Sequence, residues 1–320
     1  MGLGDYIHWT AIIRDLYTEL NLMSLSQINI FVSKINTISN NTGYGITKIV
    51  SNILSIPFKF YVNIQWKGNV ICHDQASIIF KNNPYISNDE SYPNLIYITI
   101  KSDGYLDRKM NGDIIKIYDD KHVVTRYAEH FKLNSYKTEG DIHFTKDEIS
   151  KVEAHLPNTQ FILVEPQNHK DLESRNISFE FMQNLVNKIK YIYGNNLNII
   201  QISPHKFANK ESKYLDNCIV FKDYFSYREA LLFGKHALLA IVPHGGLSIG
   251  LAAVNTKVIA IYPCIHKVQM TTYKSETVYE ISDGTHYSCY LSDCNICKSL
   301  RIKFDKNNLN KIIDSVKSMV

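Results

Sequence analysis

The stretch Leu238 to Tyr262, LLAIVPHGGLSIGLAAVNTKVIAIY, constrains this chain more than any other. Two apolar runs, Ala237 to Val242 and Lys257 to Tyr262, flank Pro243-His244-Gly245-Gly246 and a run of small residues that ends at Val254. Short apolar runs bounded by Pro and Gly read as strands, and the small-residue run between them as a helix. The unit is therefore strand, glycine turn, helix, strand, the building block of an α/β sheet. Adjacent glycines let backbone approach a ligand closely, and the N–H groups of Leu247 and Ser248 would open a helix without intrahelical acceptors, which favours phosphate. These residues suit either a nucleotide diphosphate or a plain tight turn.

A chain of 320 residues exceeds one ordinary core and suits two domains of about 150 residues each. Its 35 basic and 31 acidic residues leave a net charge of only +4, with no block of Lys and Arg to track a phosphate backbone, so nucleic acid is not the expected partner. No apolar run approaches the roughly 20 residues that span a bilayer. The N-terminus has neither the basic nor the apolar region of a signal peptide, and Tyr6 stands where myristoylation calls for Ser or Thr. The expectation is a cytoplasmic protein without a transmembrane segment, with peripheral membrane contact left open.

Taken in order, Gly2-Leu3-Gly4-Asp5 reads as a glycine loop feeding a helix whose Ile12, Ile13, Leu16 and Leu20 share a face. Asp5 near that helix start is either a cap or a carboxylate base, because the macrodipole favours its ionised form. Gln27 to Ser33 reads as a strand, Ile46 to Leu54 as a short helix, Phe58 to Ile64 and Leu95 to Lys101 as strands, and His122 to Leu133 as an amphipathic helix. This alternation predicts a doubly wound sheet in the first half. Lys146 to Leu156 reads as a helix leading out of that domain, which places the domains at 1–157 and 158–320. The second domain opens on the buried strand Phe161 to Val164 and Glu165-Pro166. A polar loop follows, then a helix from Phe179 to Tyr193 capped by Ser178, strands at Asn198 to Ile202 and Cys218 to Phe221, and a helix from Ser226. The C-terminal helix is a candidate to pack back on the first domain.

Two separated segments carry a family resemblance. Gly2-Leu3-Gly4-Asp5-Tyr6-Ile7-His8-Trp9-Thr10 resembles the GxGD loop and helix start of the ADP-heptose:lipopolysaccharide heptosyltransferase family, glycosyltransferase family 9. Gly246-Leu247-Ser248 with Ala252-Ala253 resembles its donor-binding turn. The stretches Phe144 to Leu156 and Phe161 to Val186 are also similar to that family. The resemblance implies a GT-B architecture of two Rossmann-like doubly wound domains facing across a cleft, an acceptor side in 1–157 and a nucleotide-sugar side in 158–320. It further implies inverting transfer of a hexosyl or heptosyl unit from a nucleotide-diphosphate sugar to a glycan or glycolipid hydroxyl, with no cofactor required for catalysis. Asp5 maps onto the family's candidate general base, with Gly4 and His8 beside it on the acceptor side. On the donor side the resemblance and the turn together name His244, Gly245, Gly246, Leu247, Ser248, Glu165 and Tyr262, with Lys170 and Arg175 as the only cations available in the loop after Glu165.

The chain departs from the family at several points. In the family an apolar strand precedes the GxGD loop, whereas here Met1 abuts it, so either the sheet is built without that strand or the sequence starts late. Tyr6 is bulkier than the usual aliphatic residue, His244-Gly245-Gly246 replaces Asp-Ser/Thr-Gly, and Ile249 replaces a common His. Recognition of an ADP-heptose sugar therefore does not carry over.

Cys289-x4-Cys294-x2-Cys297 is a second constellation. Three thiols so close together read as a structural zinc or iron knuckle or as free thiols in a loop, and His286, His266 or Cys264 would have to complete a set of four ligands. Cys72 and Cys218 sit in apolar contexts and read as buried. The sequence thus predicts an inverting GT-B glycosyltransferase. A sugar-nucleotide epimerase would instead need two acid/base groups around the donor, and a nucleotide-binding protein without turnover is the reading the absent first strand favours.

Overall fold

The computed structural model describes residues 3–39, 45–52, 55–66, 69–71, 78–101, 121–166, 177–203, 214–222, 224–262, 271–281 and 295–320. Contacts divide the chain into two units, Met1–His143 and Phe144–Val320.

The first unit is built on α1 (Leu3–Leu20). Tyr6, Ile7, Trp9, Ala11, Ile12, Ile13, Leu16 and Leu20 are all fully buried, so this helix is apolar around most of its circumference and runs through the core instead of over it. Trp9 stacks on Tyr127 of α3 (Val123–His130) with ring centroids 4.4 Å apart. Leu25–Ser39 forms α2, where a strand over Gln27 to Ser33 is the sequence expectation. Ile28, Ile30 and Val32 alternate, but Ser24 and Gln27 close a capping box: the Ser24 N–H donates to Gln27 Oε1 at 2.8 Å, and the Gln27 N–H to Ser24 Oγ at 3.4 Å. The opposite correction applies next, because Gly45–Ser51 is strand β1 and not a helix. Its Ile, Thr and Val content favours a pleated surface over a helix.

β2 (Lys59–Trp66), β3 (Asn69–Ile71) and β4 (Asn94–Lys101) complete a four-stranded sheet in the order β1-β4-β2-β3. β2 and β4 run parallel, whereas β1 is antiparallel to β4 and β3 antiparallel to β2. Among the described residues this sheet is mixed, which corrects the expectation of a doubly wound first half.

The second unit carries a six-stranded sheet in which every pair is parallel. Its strands are β5 (Phe161–Val164), β6 (Asn198–Ser203), β7 (Ile219–Lys222), β8 (Leu239–Pro243), β9 (Val258–Tyr262) and β10 (Glu276–Glu280). Spatially the order is β10-β9-β8-β5-β6-β7, so the chain winds outward from β5 in one direction and then from β8 in the other. That is the doubly wound order, with the direction of winding reversed between β5 and β8. β5, β8 and β9 are buried along their whole length, as strands covered on both faces must be.

One face packs Ile162, Val164, Ile241, Ile259 and Ile261 against α5 (Phe179–Tyr193) and α8 (Asn295–Met319). Phe304, Ile312, Ile313 and Val316 of α8 belong to this core. α6 (Tyr227–Lys235) and α7 (Gly246–Ala253) lie together, with no space for a side chain where they meet. A Cβ on Gly234 would come 2.2 Å from a Leu251 methyl.

α4 (Lys146–Glu153) joins this second unit, which moves the boundary from the expected 157/158 to 143/144. Glu148 caps α4 together with Thr145 and takes two hydrogen bonds from buried Arg228 of α6, at 2.8 and 3.0 Å. A charged pair taken out of water holds only while both partners stay, so α4 cannot leave α6 cheaply.

Candidate functional site

Ligands of doubly wound sheets bind beyond the carboxyl ends of the strands where winding reverses. Here that point lies between β5 and β8, and the two chain segments leaving it are Glu165-Pro166 and His244-Gly245-Gly246. Glu165 still belongs to the strand ladder, its N–H donating to Ile241 O of β8 at 3.2 Å. Glu165 is 1 % exposed. Lys170 and Arg175 lie outside the described residues.

The glycine turn is shaped by one side chain. Gly245 caps α7 in extended backbone, with φ 166° and ψ −162°. Its N–H donates to Ser248 Oγ at 3.0 Å, and the same hydroxyl donates to Gly245 O at 3.0 Å. Ser248 is therefore a buried clasp whose side chain holds the turn. The N–H groups of Gly246, Leu247 and Ser248 form the first turn of α7, where a helix supplies no acceptor. Gly245, Gly246 and Leu247 are only half-buried, so this end of α7 is open.

His244 stands between β8 and β9. Its ring stacks on Tyr262 at 3.8 Å between centroids and 16° between planes, and its Nδ1 lies 3.4 Å from Ser248 Oγ. Thr271 Oγ1 lies 3.4 Å from His244 Nε2 and 3.4 Å from the Tyr262 hydroxyl, which is also 3.1 Å from Thr272 Oγ1. Burial, and then the charge of Glu276, push the Tyr262 phenol far above its ordinary range, so it stays a neutral hydroxyl. Sequence reasoning thus brings His244, Gly245, Gly246, Leu247, Ser248, Glu165 and Tyr262 into one half of the sheet. It misses Thr271 and Thr272, which no motif marks, and Tyr227, whose hydroxyl donates to Gly246 O.

The amino-terminal segment differs from its expectation. Leu3, Gly4 and Asp5 are already helical, so described residues of the GxGD stretch form the first turn of α1 and not a loop. Asp5 is half-buried in that turn. It lies close enough to Tyr6 to raise that phenol, which burial as the larger cause pushes up to about 12. Gly4 is buried, and His8, 1 % exposed, packs its ring at 5.4 Å from that of His122. His8 is thus buried, where the sequence expectation puts it on the acceptor side.

Cys289 and Cys294, together with His286, His266 and Cys264, lie outside the described residues, as does Cys72. Cys297 falls in α8, but its side chain is not among those described. Among the described residues no group of three or more His, Cys, Asp or Glu could hold a metal ion. Cys218 is half-buried, and burial pushes its thiol up to about 12, which makes it a poor nucleophile.

No protein-family model matches this sequence, and no curated protein does. Solved structures do. The chain is similar to heptosyltransferases. The glycosyl transferase family 9 protein of Veillonella parvula DSM 2008 matches at 12 % identity over 63 % of this chain and 61 % of that one, with a TM-score of 0.44. ADP-heptose lps heptosyltransferase II of E. coli matches at 13 % identity over 60 % and 64 %, with a TM-score of 0.40. TibC, a dodecameric iron-containing heptosyltransferase solved with ADP-D-beta-D-heptose, matches at 12 % identity over 71 % and 61 %, with a TM-score of 0.47. These matches span 61 to 64 % of the length of those chains, and the sheet order and turn geometry described above stand without them. Among the described residues no helix is long and apolar enough to cross a membrane.

Proposed function

We propose that this chain is an inverting glycosyltransferase that moves a sugar from a nucleotide-diphosphate donor to the hydroxyl of a glycan or glycolipid acceptor. The observation that carries the donor half is the open first turn of α7 at the point where the sheet reverses its winding. The N–H groups of Gly246, Leu247 and Ser248 would take the diphosphate, and His244 on Tyr262 would flank it. The acceptor half rests on the GxGD resemblance and on Asp5 in the first turn of α1. In this reading the acceptor oxygen attacks the anomeric carbon, Asp5 takes the hydroxyl proton, and the diphosphate leaves with negative charge that the α7 amides stabilise. The mixed first sheet leaves GT-B architecture a proposal for the whole chain, with the second unit as its nucleotide half. Cys289, Cys294 and Cys297 remain a proposed structural zinc or iron site on their spacing alone, which elemental analysis of purified protein decides.

Helical Gly4 and buried His8 favour a second reading, a nucleotide-binding protein without turnover. One pair of measurements separates the two. Thermal shift with a panel of nucleotide sugars should raise the melting temperature for at least one donor. Asp5→Asn should then lower transfer from that donor by about a hundredfold to ten-thousandfold while leaving its affinity nearly unchanged. Binding with no transfer to any acceptor supports the second reading, and near wild-type turnover in Asp5→Asn removes Asp5 as the base.

A further inference from the structure

Tyr227 belongs to no motif, yet it reaches the middle of the proposed donor turn. As the first residue of α6 it sits beneath α7, 4 % exposed, and its hydroxyl donates to the carbonyl oxygen of Gly246. A peptide unit is planar and trans, so a hydroxyl that adds a second hydrogen bond to the Gly246 carbonyl, beside the one the helix itself supplies, also helps fix the opposite direction in which the Leu247 N–H points. The remaining parts of the turn agree with this division of labour. Ser248 Oγ already occupies the Gly245 N–H, whereas Leu247 faces the open end of the helix. Gly250 makes the contact possible, because a Cβ there would lie 2.6 Å from the Tyr227 oxygen and 2.7 Å from both Leu231 methyls. Burial raises the Tyr227 phenol far above its ordinary range, so it remains a donor across the physiological range.

We propose that Tyr227 is a positioning residue that aims the Leu247 amide at the donor diphosphate. The inference rests on the nucleotide-diphosphate reading given above and adds a residue that touches no ligand itself. It separates two kinds of binding energy: phosphate contacts depend on Tyr227, and base and ribose contacts do not.

The test is calorimetric titration of the full chain and its Tyr227→Phe variant with inorganic pyrophosphate, ADP and UDP, and with adenosine and uridine. A hydrogen bond of this kind contributes about 1 kcal/mol, so whichever diphosphates bind wild type should bind the variant roughly fivefold more weakly, with nucleoside affinity unchanged. Gly250→Ala, which forces the hydroxyl away while keeping the phenol, should show the same selective loss and serves where Tyr227→Phe does not fold. Combining the two should add nothing further, since both remove one contact. Equal affinity of wild type and both variants for the diphosphates overturns the inference alone. An equal loss for diphosphates and nucleosides also overturns it, because Tyr227 would then merely support the fold. Wild-type protein that binds no diphosphate overturns the nucleotide reading and this inference with it.

Discussion

Glu276 opens β10 with one carboxylate oxygen accepting from the Tyr273 N–H at 2.7 Å and the other buried without a partner among the described residues. Burial is the larger influence on it, and it lifts the carboxyl from 4.5 to about 8, against the opposing pull of the Tyr273 amide. The folded state therefore holds a proton that the unfolded chain has released. Between about pH 4.5 and pH 8 the native state binds more protons, so this group's contribution to stability is full below the lower value and is lost as pH rises through the upper one. Glu276→Gln keeps the shape and cannot ionise. The variant should match wild type near pH 5 and exceed it at pH 8 to 9 by roughly 4 kcal/mol, read as the difference between denaturant unfolding curves. A difference that stays constant from pH 5 to 9 would mean that Glu276 titrates normally.

At the scale of elements, α1 is held by the strap that follows α3 and Leu133. The Arg14 guanidinium donates to the carbonyls of Lys137 and Glu139 at 3.2 and 2.9 Å and pairs with Asp141 at 3.0 Å and Asp15 at 2.8 Å. The Asp141 N–H completes the strap on Thr10 Oγ1 at 2.6 Å. Gly140 lets the backbones meet, since a Cβ there would fall 2.4 Å from the carbonyl oxygen of Ile7. Backbone cannot rotate out of the way as a side chain can, so Gly140→Ala should destabilise the protein by about 1–3 kcal/mol in chemical denaturation. An unchanged midpoint would show that the strap yields. This strap also marks a limit of sequence reading. Strands β5, β6, β8 and β9, the cap Ser178 and the turn at Gly245 are legible because local composition and period decide them. Helix α2 reads as a strand from sequence because the alternation of Ile28, Ile30 and Val32 over so short a window outweighs the Ser24 and Gln27 pairing that opens it. The antiparallel pairing of β1 with β4, the reach of Arg14 to Asp141 and the hydroxyl of Tyr227 on Gly246 all join residues far apart in sequence, and no local pattern encodes them.

At the scale of the molecule, the buried pair of Arg228 with Glu148 decides where the second unit can be cut. A fragment spanning 144–320 keeps both partners, whereas one spanning 158–320 strips Glu148 and the Phe144 ring from Arg228 and bares the part of α6 that α4 covers. Removing one member of a buried pair typically costs about 3–5 kcal/mol, so the longer fragment should unfold cooperatively and the shorter should melt far lower or not fold. Equal melting temperatures would show that α4 is dispensable. The sheet of this unit carries one more consequence, for the moment of synthesis. β5 meets β6 soon after it emerges from the ribosome, but its other neighbour, β8, is made only after β6, β7 and α6. Until then Phe161–Val164, apolar at every position, presents one bare flank, the kind of edge that recruits other chains. That late-closing seam is also the one across which the proposed nucleotide would lie, so a ligand there would act as a rivet between the two halves of the sheet and slow their parting.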